Sequence, residues 1–179
     1  MTYRMLTIMG AFAAIAGGAP RVISGFIPYQ AEVVELELIY GAIDVFLLFG
    51  LLAIYLKSSD QLGWLGLVGF VIAAIGLASI VGPDTILWGV DMYQLGATVL
   101  MIGLSGLAAV MLWNHVLRQA ALYWLTATVA GVSATLTESP LAFAVAGMLF
   151  GVGFVSGGVT LILEIEDAQT SPTNVNAAD

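Results

Sequence analysis

An all-α polytopic membrane protein, built as a compact bundle of six transmembrane helices, is the fold class this sequence predicts. Three observations predict it. Of 179 residues, 60% are hydrophobic and only 9% charged, with a mean hydropathy of +1.03. A soluble domain of that length cannot bury so much apolar surface, so lipid is expected to be the solvent for most of the chain. Six apolar runs approach the roughly 20 residues that a helix rising 1.5 Å per residue needs to cross a bilayer. The links between them are short, which favours antiparallel neighbours.

The first run covers residues 5–27 and is interrupted by Gly17-Gly18-Ala19-Pro20-Arg21. Pro20 is expected to break it, because a proline has no N–H for the residue four before it. The second run is 36–56 and the third 62–81, joined by Lys57-Ser58-Ser59-Asp60-Gln61. Gly82-Pro83-Asp84 stops the third. Asp84 is expected to cap a helical lead-in from Thr85 that contains Trp88 and feeds the fourth run, 92–113. The fifth run, 119–136, is the shortest and carries Thr126, Thr128, Ser133 and Thr135; the sixth is 141–163. Residues 1–164 then form one transmembrane domain, and 165–179 an acidic tail expected to be disordered.

A competing reading makes the first run a cleaved leader: Arg4 starts it, an apolar stretch follows, and Ala14-Ile15-Ala16 supplies a small-x-small pattern. The six-span reading retains the segment. The stretches ending Gly50 to Leu56 and Gly106 to Leu112 resemble one another before a basic turn, a faint sign of duplication.

Charge orients the bundle. Arg4, Lys57 and Arg118 fall at ends that six spans place on one side, which the positive-inside rule makes cytoplasmic. Glu32, Glu35, Asp84, Asp91 and Glu138 fall on the other. Both termini are then cytoplasmic, in a plasma or inner membrane. The four tryptophans lie near span ends, Trp64, Trp113 and Trp124 inside and Trp88 outside, as interfacial belts require.

The net charge of −8 argues against nucleic acid as a partner. No cysteine and one histidine, His115 in a turn, leave no thiolate metal site and no bis-histidine haem. No cofactor or metal is expected. The span hydroxyls Ser105, Ser133, Ser156 and Thr160 are expected to bond their own helix backbones, and no positioned base accompanies them for nucleophilic work.

Arg21 and Asp44 are the two charges well inside apolar runs, at matching depth from the same side. Each alone costs up to about 3 kcal/mol in lipid, so an ion pair between adjacent antiparallel helices is expected. Glu37, Tyr40 and Asp44 share one helix face, and Asp91 and Gln94 lie at the mouth of the fourth run. With Arg21 these six form the candidate ligand site, an outward-facing group suited to a cation or a zwitterion. Gly69, Ala73 and Gly76, with Gly147, Gly151, Gly153 and Gly157, are expected to pack helix on helix, or to form the seam of a homo-oligomer.

Three functional classes follow. A non-catalytic packing or accessory subunit of a larger membrane assembly ranks first, on long spans and abundant packing glycine. A small cation or zwitterion transporter or channel-like protein using the Arg21 and Asp44 region is the alternative. An intramembrane enzyme ranks last, because no acid, histidine or metal constellation for catalysis is legible.

Overall fold

The computed structural model describes residues 3–27, 34–81 and 86–170. Within these it has five helices: α1 Tyr3–Ser24, α2 Val34–Ser79, α3 Met92–Trp113, α4 Arg118–Thr137 and α5 Pro140–Thr170. A two-stranded antiparallel hairpin, β1 Ile86–Leu87 and β2 Val90–Asp91, precedes α3. All five helices are long and apolar enough to cross a membrane.

The count is five where the sequence predicts six, because residues 57–61 do not form a loop. Lys57, Asp60 and Gln61 stay helical, and the second and third runs become one element interrupted only at Gly63. There the backbone takes φ 58° and ψ −159°, a region essentially reserved for glycine. The break reverses the chain. Tyr55 and Phe70 stack with ring centroids 4.3 Å apart, whereas a straight helix would hold their backbones about 22 Å apart. α2 is therefore a helical hairpin with two arms.

Small residues set how the arms meet. Between α1 and the first arm of α2, Gly10 abuts Ala53, Gly50 abuts Ala14, and Gly17 abuts Leu47 and Ile43. Between the second arm and α3, Gly69 faces Leu107, Ala73 faces Gly103 and Gly76 faces Leu100. Gly18 lies against Gly151 and Gly25 against Ala144 between α1 and α5, and Gly158 against Ala11. In each seam one residue number rises as the other falls, which is antiparallel packing. α1 and α5 being antiparallel requires an odd number of reversals between them, and the turn at Gly63 supplies the one that five straight rods would lack. α3 to α4 and α4 to α5 contacts close the ring.

The bundle thus has two ends. One carries the β-hairpin, the C-terminus of α1 and the N-termini of α2, α3 and α5; the other carries Gly63 and the start of α4. Along the interior, Leu47, Leu51, Ile54, Leu104, Leu107, Met111, Phe154 and Leu161 are fully buried. The outer surface is apolar: Phe12, Leu38, Phe49, Ile75, Ile102, Val129 and Leu163 are all exposed.

Four local expectations are corrected. α1 runs unbroken through Pro20 to Ser24, since a single missing donor near a helix end does not unwind it. The lead-in containing Trp88 is not helical: Trp88 and Gly89, with φ 51° and 78°, make the tight turn of the hairpin. Asp91, not Asp84, caps α3, its Oδ1 accepting the Gln94 N–H at 3.1 Å; Asp84 itself lies outside the described residues. Trp124 is not at an interface. It is fully buried, with its ring 5.1 Å from Phe154 and its indole edge against Gly153, where a Cβ would collide with it. Its Nε1 has no hydrogen-bond partner among the described residues. Trp64, Trp88 and Trp113 are strongly exposed, as belts require.

α5 also continues to Thr170, so residues 165–170 are helical where the sequence predicts a disordered tail; 171–179 lie outside the described residues. Glutamate and alanine are good helix formers, and an existing helix propagates through them at little cost.

Seam glycines and space-facing glycines should respond oppositely to substitution. Gly76→Leu forces side-chain atoms into the α3 backbone at Leu100, and should destabilise by about 2–3 kcal/mol or block folding. Gly147, with no described atom within 4 Å of a built Cβ, should accept alanine within about 0.5 kcal/mol. Thermal melts of detergent-solubilised protein check both; equal sensitivity at the two positions contradicts these seams.

Candidate functional site

Arg21 lies on the stripe of α1 that also carries Thr7, Ala11, Ala14 and Gly18, all buried, and therefore faces the bundle interior. The contact of Gly17 with Leu47 and Ile43 fixes the register with α2, and one turn on from Gly17 brings Arg21 level with Asp44. The equal depth expected from the sequence is what this seam produces.

The direct partner differs from the expected one. Arg21 Nη2 donates to the Tyr93 hydroxyl on α3 at 3.1 Å, a contact across the ring, since α1 and α3 are not neighbouring arms. Asp44, which is 5% exposed, acts on Arg21 through space, as does the Tyr40 phenol. Among the described residues no hydrogen bond or ion pair joins Arg21 to Asp44, and Asp44 accepts no hydrogen bond. The tyrosine intervenes because α3 starts at Met92, placing Tyr93 at the same end of the bundle as the C-terminus of α1.

Three of the six sequence-derived site residues come together: Arg21, Tyr40 and Asp44. Asp91 is committed to capping α3. Gln94 is exposed, and its backbone N–H is the cap's donor. Glu37 is half-buried on α2, nearly two turns from Asp44 towards the hairpin end. Tyr93 is the residue that sequence reasoning missed. Its signal was present: a phenol between Asp91 and Gln94, at the end of the bundle where Arg21 lies. An aromatic at a span start reads first as an interfacial anchor, which hid it.

Around this group the packing changes. Towards Gly63 the interior is closed by Leu47, Leu51, Leu104 and Phe154, all fully buried. Towards the hairpin end Tyr40, Tyr93, Met148 and Leu149 are only half-buried. At Gly147, on the same α5 stripe as Phe150 and Phe154, an added side chain would meet none of the described residues within 4 Å. The polar group thus lies against a fully buried apolar layer on its Gly63 side.

Of the packing residues named from sequence, Gly69, Ala73 and Gly76 contact α3, Gly151 contacts α1, Gly153 contacts α4 and Gly157 contacts Ile54 of α2. Among the described residues nothing would crowd a Cβ at Gly147, so it does not share the close seam that Gly151 makes with α1. Ser105 and Thr160 bond their own helix backbones as expected; Thr128 does so too and meets Ser105 of α3 at 2.8 Å, a hydroxyl link between α3 and α4. Among the described residues no group of three His, Cys, Asp or Glu side chains is placed to hold a metal ion.

No known family model, curated protein or solved structure matches the chain. What the site does must therefore be argued from its own geometry.

A double-mutant cycle on Arg21→Gln and Tyr93→Phe should return a coupling of about 1.5–3 kcal/mol, the range for a hydrogen bond involving a charged group. Additive single effects, measured by equilibrium unfolding in detergent, contradict the contact.

Proposed function

We propose that the chain is an integral membrane protein whose six helical arms each cross the bilayer, and that the Arg21, Asp44, Tyr40 and Tyr93 group binds a small polar solute, a cation or a zwitterion. The observation that carries this reading is the arginine held across the ring by Tyr93, with Asp44 buried nearby and joined to it by no hydrogen bond among the described residues. Charged side chains within a bilayer cost about 3 kcal/mol each near its centre. For a bundle serving only to pack, apolar residues of similar volume at these positions would often be more stable. A transporter needs a polar point of contact inside its bundle, and this group supplies one.

The half-buried tyrosines and the open space at Gly147 favour entry from the hairpin end. Arg4, Lys57 and Arg118, all the basic residues except Arg21, belong to the opposite end, which we assign to the cytoplasm. The hairpin end is then external, both termini are cytoplasmic, and the membrane is the plasma or inner membrane. The accessory-subunit reading competes with this one and shares its topology. The many close seams support it, but they are internal and present no partner.

The absence of native cysteine allows both parts to be tested. Single cysteines at Trp88 and Glu138 should react with a membrane-impermeant maleimide on intact cells, while Asp60 and His115 should react only after permeabilisation; the reverse pattern overturns the orientation. Proteoliposomes should accumulate small amines or amino acids, and Asp44→Asn should lower the rate at least tenfold while the variant inserts and elutes normally. No flux and no ligand-induced thermal shift with any small polar solute would sink the solute-binding reading and leave the accessory one.

A further inference from the structure

We propose that the solute is a zwitterion, bound with its carboxylate on Arg21 and its ammonium on Asp44; this deepens the solute-binding reading above and rests on it. Opposite charges on neighbouring antiparallel helices, at one level and within electrostatic reach, would join directly if their task were to clamp α1 to α2. They do not. Arg21 spends its hydrogen bond on Tyr93, and Asp44 accepts none among the described residues. The α1 to α2 seam is already made by Gly10, Gly17 and Gly50 without them.

Each charge therefore keeps capacity for a ligand. A guanidinium carries five N–H donors in a planar fork, and a bond through Nη2 to one phenol leaves donors for a carboxylate. The Asp44 carboxylate has both oxygens for an ammonium, which brings three donors of its own. Tyr93 fixes the guanidinium from across the ring, so the fork is positioned before the ligand arrives. Tyr40, the other phenol that acts on Arg21 through space, adds an aromatic face of the kind that attracts ammonium groups.

Charge balance selects the ligand class. Arg21 and Asp44 together are neutral, and a zwitterion adds no net charge to a site floored by Leu47, Leu51, Leu104 and Phe154. A simple cation would pair with Asp44 but leave Arg21 facing added positive charge. A simple anion would meet Asp44 in the same way. Both leave one buried charge unmatched, the arrangement that low-dielectric surroundings penalise most.

The test uses the full chain in nanodiscs and calorimetric titration with glycine, β-alanine and 4-aminobutyrate, beside the half-molecules acetate and methylammonium. At least one zwitterion should bind tenfold or more tightly than either half-molecule. Asp44→Asn should weaken that zwitterion at least tenfold while strengthening acetate relative to it. Arg21→Gln should do the same for methylammonium, and Arg21→Lys should restore part of the zwitterion binding. A merely structural role for the two residues would weaken all five probes together. Methylammonium binding as tightly as every zwitterion would overturn the zwitterion assignment and leave the solute site standing. Binding of none of the five would remove both, and elution of each variant as the wild type does excludes misfolding as the cause.

Discussion

Close approach of helix backbones at small residues is the constraint from which the rest of this structure follows. In a lipid-like environment an apolar side chain gains little by leaving its surroundings for another apolar side chain, so association relies on contact between well-fitted surfaces. Gly10, Gly17, Gly50, Gly69, Gly76, Gly103, Gly151 and Gly158 remove the side chain where two arms would otherwise be held apart. Each such contact also fixes a register. The seam at Gly17 sets Arg21 level with Asp44, and the seams at Gly69 and Gly76 set where Tyr93 begins its helix. The polar group is positioned by the apolar packing.

Gly63 has a different importance. Its backbone conformation turns one hydrophobic stretch of 46 residues, about 69 Å if straight, into two arms of bilayer-compatible length. The reversal keeps Lys57 and Asp60 at the turn, where their charges reach water, and lets the second arm lie against α3. It also restores the even parity that allows α5 to return antiparallel to α1 and close the ring. That closure brings α3 across from α1, where Tyr93 meets Arg21.

The polar group and its surroundings divide the interior into two regimes. From Asp44 towards Gly63 the core is closely packed, with Phe154 in ring contact with both Trp124 and Phe150. From Asp44 towards the hairpin end Tyr40, Tyr93, Met148 and Leu149 are only half-buried. The unpartnered Trp124 Nε1 against Gly153 shows that the dense region accepts one unsatisfied donor in exchange for tight aromatic packing.

The sequence by itself determined the class of molecule, the approximate limits of the apolar segments, the glycines of the α2 to α3 seam, and Arg21 and Asp44 as the two interior charges. These follow from composition and from the period of a helix, which are local properties. It misplaced Trp124, because an aromatic six residues inside a helix looks the same whether it faces a partner or an interface. It missed Tyr93 and the absence of a direct Arg21 to Asp44 bond, because both depend on which arms oppose one another across the ring. It also drew a loop at residues 57–61, where polar composition suggested one and backbone geometry put the break at Gly63. Only the tertiary structure decided the seams, the closure and the company each charge keeps. Those are set by contacts between residues far apart in the chain, which no local pattern encodes.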